Sequence, residues 1–143
     1  MNQVNPISPA ETTRNRFDAN DADIDAALAY EQIFVPALFA PWPKHVIEAA
    51  DVRPGHRALD VACGTGVLTR AMAKVTGPAA VPVGLDINPG MLAVAEQLQK
   101  DITWGHGDAS SLPFEKGSFD RVVCQYGMMF FPDRVQAITE MKR

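Results

Sequence analysis

An α/β fold, a Rossmann-like doubly wound parallel sheet, is what the sequence predicts, and three observations predict it. From His56 onward, apolar runs of strand length alternate with helical patterns of about ten residues. The first run passes straight into a glycine turn, LDVACGTG, which opens a helix. Acidic residues then stand at the ends of the next two runs. A chain of 143 residues suits one domain. It divides into a flexible tail over residues 1–20, a helical segment over 21–55 and the sheet domain over 56–143.

The tail is rich in Asn, Pro, Thr and Ser, with Phe17 as the one large apolar group placed to dock. Apolar residues Ile24, Leu28, Ile33, Leu38 and Phe39 recur at helical spacing, with Asp21 as N-cap. Pro36 should break or kink that helix, leaving it in two pieces. A short helix, KHVIEAADV, follows Pro43 and closes at Arg53-Pro54-Gly55. HRALDVA is then a strand, GVLTRAMAKV a helix and Gly77-Pro78 a turn. AVPVGLD is a strand that Pro82 weakens; Asn88 and Pro89 cap and open the helix PGMLAVAEQLQK. ITWGHG, the loop SSLPFEKGS, the strand FDRVVCQYG and the helix PDRVQAITEMKR complete the order. The sheet thus holds about four strands.

Composition narrows the function. A formal charge of −4 provides no electrostatic pull toward nucleic acid or acidic lipid. Two cysteines, Cys63 and Cys124, form no Cys-x-x-Cys pair, which suits a reducing, cytoplasmic compartment. No apolar run reaches the roughly 18 residues of a membrane span, and the N-terminus lacks a signal-peptide layout.

The first strand-to-helix turn of a doubly wound sheet is where nucleotides bind, because glycine lets the backbone approach and the helix offers free N–H groups. Here Gly64 and Gly66 open a G-x-G-x-x-G pattern, but Thr69 takes the third glycine's place, and no P-loop occurs. A bare tight turn would also use these glycines. Asp86 ends the second strand about 20 residues beyond Gly66, where a carboxylate accepts both ribose hydroxyls. Asp108 ends the third strand, and Gln125 and Tyr126 end the fourth. Polar groups at four successive strand tips point to a ligand.

LDVACGTG, GLDIN, GDASSLPF and FDRVVCQYGMMFFPD, in that order and spacing, resemble the class I S-adenosylmethionine-dependent methyltransferases. The likeness is to the small-molecule branch of ubiquinone and menaquinone C-methyltransferases, and it covers roughly residues 43–143. It implies that S-adenosylmethionine lies over the turn, its ammonium near Asp60 and the carbonyl of Ala62, which replaces the family's first glycine. Asp86 would take the ribose, Ile87 the adenine face, Asp108 the adenine amino group and the Ala109 N–H a ring nitrogen. Cys63, Gly64, Thr65, Gly66, Met91, Gly107, Gln125 and Tyr126 complete the implied cofactor set. The methyl is already activated in such a cofactor, so no catalytic triad is expected.

Other groups carry less. His45, His56 and His106 lack ligand spacing, so no metal is expected; His106 is a structural or solvent-facing residue, with a base as its alternative. Cys63 reads as a small filler and Cys124 as core rather than nucleophile. Gln125-Tyr126-Gly127-Met128 departs from the Asn/Asp-Pro-Pro-Tyr of amino-group methyltransferases. The run Met128 to Phe131 suits an apolar small-molecule acceptor or loop packing; Tyr30, Phe34 and Trp42 are read as core, with a roof over the cofactor, which the N-terminal helices often form in the resembled family, as the alternative.

The resembled sheet has seven strands in the order 3-2-1-4-5-7-6, so a chain with four is expected to be incomplete. Its apolar fourth strand would be an open edge, and pairing with a second copy could cover it. Two other functions stay open: an NAD(P)-dependent oxidoreductase, and a non-catalytic module that binds S-adenosylmethionine.

Overall fold

The computed structural model describes residues 16–143. Residues 1–15, most of the expected tail, lie outside them. Helices α1 (Asp21–Ala29) and α2 (Pro43–Ala49) flank a π-helical segment, Tyr30–Phe39. The alternating part follows as β1 (Ala58–Val61), α3 (Val67–Thr76), β2 (Val83–Asp86), α4 (Pro89–Leu98) and β3 (Thr103–His106). It ends with β4 (Arg121–Val123), one 3-10 turn (Met128–Phe130) and α5 (Arg134–Lys142).

The four strands are parallel and lie in the order β3-β2-β1-β4. Leu59 of β1 stands opposite Val83 on one side and Val122 on the other. All four residues of β1 are buried, as a central parallel strand requires. Its side chains alternate between faces. Leu59 and Val61 pack with Leu85, Leu112 and Ala137, while Ala58 joins Leu68, Met72 and Val123. The order reverses beside β1, so the crevice beyond the strand C-termini falls there. No helix among the described residues is long and apolar enough to cross a membrane.

Several expectations change in detail. The tail reading fails from Arg16 on. Phe17 is buried with Leu92, Ala95, Ile102 and Trp104, and Ala19 is fully buried. Asn20, not Asp21, caps α1, because its side chain can accept the Asp23 N–H while Asp23 answers the Asn20 N–H. Pro36 does not end the helix. The chain widens to five-residue spacing from Tyr30, seen in the Ala40 N–H bond to the Val35 carbonyl (2.8 Å). A π register accommodates a residue that has no N–H to donate and crowds the α ladder. The fourth strand stops at Val123, so Cys124 falls in the loop beyond it and is only partly buried. Tyr126, in that loop, holds a left-handed φ of 60°.

Candidate functional site

The turn after β1 coils through three residues with positive φ: Ala62 at 58°, Gly64 at 57° and Gly66 at 91°. Gly66 caps α3 in a left-handed conformation, and its N–H bonds the Cys63 carbonyl at 2.9 Å. No side chain fits there, since a Cβ on Gly66 would stand 2.3 Å from the Trp104 ring. Trp104 is buried beneath the turn, its indole N–H on the Gln99 carbonyl at 2.8 Å. Ala62 meets the same positive φ with a side chain, which is strained by about 1–2 kcal/mol.

Asp86, at the tip of β2, ties that turn to its neighbour strand. One oxygen accepts the Gly64 N–H and the other the Asn88 N–H, both at 2.8 Å. Burial raises its pKa, and those backbone N–H groups oppose the rise. Asp60, on β1, is fully enclosed and takes the Thr69 hydroxyl at 2.7 Å. Burial pushes Asp60 up to about 7, held back by Thr69 and added to by the charge on Asp86. Thr69 therefore answers a buried carboxylate at the position where a dinucleotide fingerprint has glycine.

The π-helical segment lies across this turn. Tyr30 approaches Gly64, its hydroxyl 3.6 Å from where a Cβ would stand, and burial pushes its phenol up to about 12. The Thr65 hydroxyl donates to Glu31, and Glu31 also pairs with Arg70 at 2.9 Å. Gln125 donates to the Phe39 carbonyl at 3.2 Å, while its own side-chain oxygen is buried and finds no hydrogen-bond partner among the described residues. Phe39 stacks on Tyr30 at 5.5 Å and meets the Tyr126 ring at a tilt, 5.1 Å between centroids. Between segment and turn remains a cavity of about 20 Å³, lined by Tyr30, Phe39, Asp60, Ala62, Cys63, Val67, Leu68 and Gln125.

Of the residues singled out in the sequence, Asp60, Ala62, Cys63 and Gln125 thus meet at one cavity, and Asp86 joins them through Gly64. Thr65 is buried and turned toward Glu31. The others follow the tips of β2 and β3. Ile87 is exposed, and its carbonyl meets His106 Nε2 at 2.9 Å. The Gly107 N–H bonds the Asp86 carbonyl at 3.0 Å, extending the ladder. Asp108 is exposed; one oxygen takes the Ser110 N–H and hydroxyl, which hold its pKa low. Ala109 is buried, and Met91 packs with Ile24 and Ala93 on the α1 side of α4.

Glu31, Phe39 and Arg70 are the site residues the sequence reading misses, and it places Tyr30, Phe34 and Trp42 in the core. Phe34 and Trp42 are instead half exposed. No local signal marks them, because each acts through a partner 34 or more residues away, as in Thr65–Glu31 and Arg70–Glu31.

Comparison with known proteins agrees with this geometry. Residues 58–143 match the family described as "Methyltransferase domain". Over 105 residues the chain is 41% identical to the demethylmenaquinone methyltransferase of Staphylococcus aureus (strain JH9), which covers 71% of this chain and 44% of that relative. The chain therefore spans less than half the length of the curated relatives it matches. The crystal structure of the YcgJ protein from Bacillus subtilis superposes with a TM-score of 0.61 at 30% identity, over 68% of this chain and 43% of that one. A SAM-dependent methyltransferase from Aquifex aeolicus shares the fold at a TM-score of 0.64 and 19% identity, over 71% and 56% of the two chains. A four-stranded parallel sheet, a glycine turn bound to the acid of the next strand and this match over the whole alternating region have one reading: the chain belongs to the class I S-adenosylmethionine-dependent methyltransferases, in the menaquinone-like branch.

Proposed function

We propose that this chain binds S-adenosylmethionine at the C-terminal edge of its sheet and serves methyl transfer to an apolar small-molecule acceptor. One observation carries the reading: Asp86 is bonded to the glycine turn, and that turn shares a cavity with buried Asp60 and the Gln125 oxygen, unpartnered among the described residues. Such a donor set fits the cofactor. Asp60, Gln125 and the Ala62 carbonyl would receive its ammonium, and Asp86 its ribose hydroxyls. Ile87, Met91, Gly107, Asp108 and Ala109 would frame the adenine. Cys63, Gly64, Thr65 and Gly66 would supply close backbone, with Tyr126 beside the methionine end.

A bound sulfonium supplies an activated methyl, and the protein's part is to align the acceptor with it and exclude water. Phe39, Trp42 and Tyr126 form a ring cluster at the mouth, with Tyr126–Trp42 at 6.2 Å, which suits an apolar acceptor. The relative's name, demethylmenaquinone methyltransferase, points to the same class.

Residues 21–55 act in this reading as the helical cover and 56–143 as the cofactor domain, in the reducing cytoplasm, where free Cys63 and Cys124 stay thiols. The outer edge of β4, unpaired among the described residues, is the surface a second copy would cover. Thermal-shift titration tests the cofactor reading. S-adenosylmethionine and S-adenosylhomocysteine should raise Tm, and stabilisation by NAD alone would establish the oxidoreductase alternative. Transfer of a labelled methyl group separates enzyme from binding module.

A further inference from the structure

The tips of β2 and β3 are joined by two hydrogen bonds of different origin. One extends the ladder, the Gly107 N–H on the Asp86 carbonyl at 3.0 Å. A side chain makes the other. His106 stands opposite Asp86 in the register, and its ring Nε2 lies 2.9 Å from the Ile87 carbonyl. A carbonyl oxygen has no proton to give, so Nε2 carries the hydrogen and donates it. That nitrogen is therefore not free to act as a base.

The Ile87 carbonyl belongs to the same peptide unit as the Asn88 N–H, and in a planar trans unit the two point in opposite directions. The Asn88 N–H donates to Asp86 Oδ1 at 2.8 Å. One peptide is thus held at both ends, by the His106 ring on its oxygen and by the Asp86 carboxylate on its nitrogen. Swinging it out of place would break both bonds together. Donation to the oxygen also polarises the unit and strengthens its N–H as a donor. The second carboxylate oxygen, Oδ2, has its own partner in the Gly64 N–H at 2.8 Å. Asp86 is buried between these donors, whereas His106 is exposed and can be replaced without opening the core.

We propose that His106 is a positioning residue: through the Ile87–Asn88 peptide it sets the orientation of the Asp86 carboxylate, and with it the affinity for the two hydroxyls of a ribose. This inference rests on Asp86 being the group that receives the ribose.

Full-chain variants His106→Ala and His106→Gln test it, the second because its amide nitrogen can stand where Nε2 stands. In calorimetry His106→Ala should bind S-adenosylhomocysteine about fivefold more weakly than wild type, the worth of one neutral hydrogen bond, and His106→Gln should come within about twofold of wild type. In an Asp86→Ala background, His106→Ala should cost nothing further, because its route to the ligand is gone. Hydrogen exchange reads that route without a ligand. The Asn88 amide should exchange about fivefold faster in His106→Ala and recover in His106→Gln, while amides of β1 and β2 keep their wild-type rates. Equal affinity in wild type and His106→Ala overturns the proposal, as does an equal loss in the Asp86→Ala background. A His106→Gln chain no better than His106→Ala, or an Asn88 amide indifferent to both, overturns it too. Should S-adenosylhomocysteine bind none of the chains while the Asn88 amide still responds, the cofactor reading falls and the positioning of Asp86 by His106 stands.

Discussion

Asp60 and Asp86 sit on neighbouring strands, yet the backbone treats them differently. Asp86 receives two N–H groups, from Gly64 and Asn88, which favour its charged form. Asp60 has the Thr69 hydroxyl against full burial, and its pKa rises to about 7. Replacing Asp86 with Ala should weaken S-adenosylhomocysteine binding roughly 10- to 100-fold by calorimetry, the loss of charged hydrogen bonds to a ligand. For Asp60 the linkage runs the other way from an ordinary ion-paired carboxylate. Its folded-state pKa lies above the unfolded value of 3.8, so its contribution to stability is full in acid and lost as pH rises through about 7. Urea unfolding of wild type against Asp60→Asn should show a difference that declines by up to about 1.4 kcal/mol per pH unit between about pH 4 and pH 7. Binding of a cationic ligand should strengthen over the same window, since it needs the carboxylate ionised.

At the scale of elements, the turn between β1 and α3 combines one relieved and one unrelieved position. Gly66 meets a φ of 91° without cost, and Ala62 holds 58° with a methyl group. Ala62→Gly should therefore gain about 0.5–1 kcal/mol in chemical denaturation, as relief of left-handed strain exceeds the added unfolded-state entropy. Gly66→Ala should lose at least about 2 kcal/mol, because left-handed strain adds to contact with Trp104. These elements were legible in the sequence. The LDVACGTG run, the Asn88-Pro89 start and Asp86 at the end of β2 depend on local chemistry and stand where the pattern places them, whereas Asp108 lies two residues past the end of β3 at His106. The π register of Tyr30–Phe39 was not legible, since apolar spacing at Ile33, Leu38 and Phe39 fits a proline-broken α-helix equally well. Nor was the end of β4 at Val123. An apolar run shows that a strand can continue, and where its pairing with β1 stops is a tertiary matter.

For the whole molecule, the sheet's two edges differ. β3 is one edge of the sheet and β4 the other, and β4 pairs with β1 on its inner side. Near β4, Met129 and Phe130 are exposed at 57% and 78%, and α5, which packs on β4, exposes Val135 and Ile138. Apolar surface of this kind favours association. Light scattering should give twice the chain mass at micromolar concentration, and Phe130→Asp should weaken that dimer about 10-fold or more, the transfer value of one buried aromatic. A soluble wild-type monomer at all concentrations would rule out the pairing. The candidate site was legible at this scale as a line of strand tips, whereas the contacts that hold its cover were not. The Glu31 contacts bring residue 31 to residues 65 and 70, a closeness that exists only once the sheet has formed.

Trp104, wedged under Gly66, has a consequence for how this protein can be watched. The chain contains two tryptophans, and they occupy opposite environments: Trp104 is 2% exposed and Trp42 46% exposed. Their fluorescence should separate into a blue, quencher-resistant component from beneath the glycine turn and a red, quencher-accessible one from the rim. Events at the floor of the site and at its mouth are thus reported by different indoles, and the unlabelled protein carries its own two-channel optical readout.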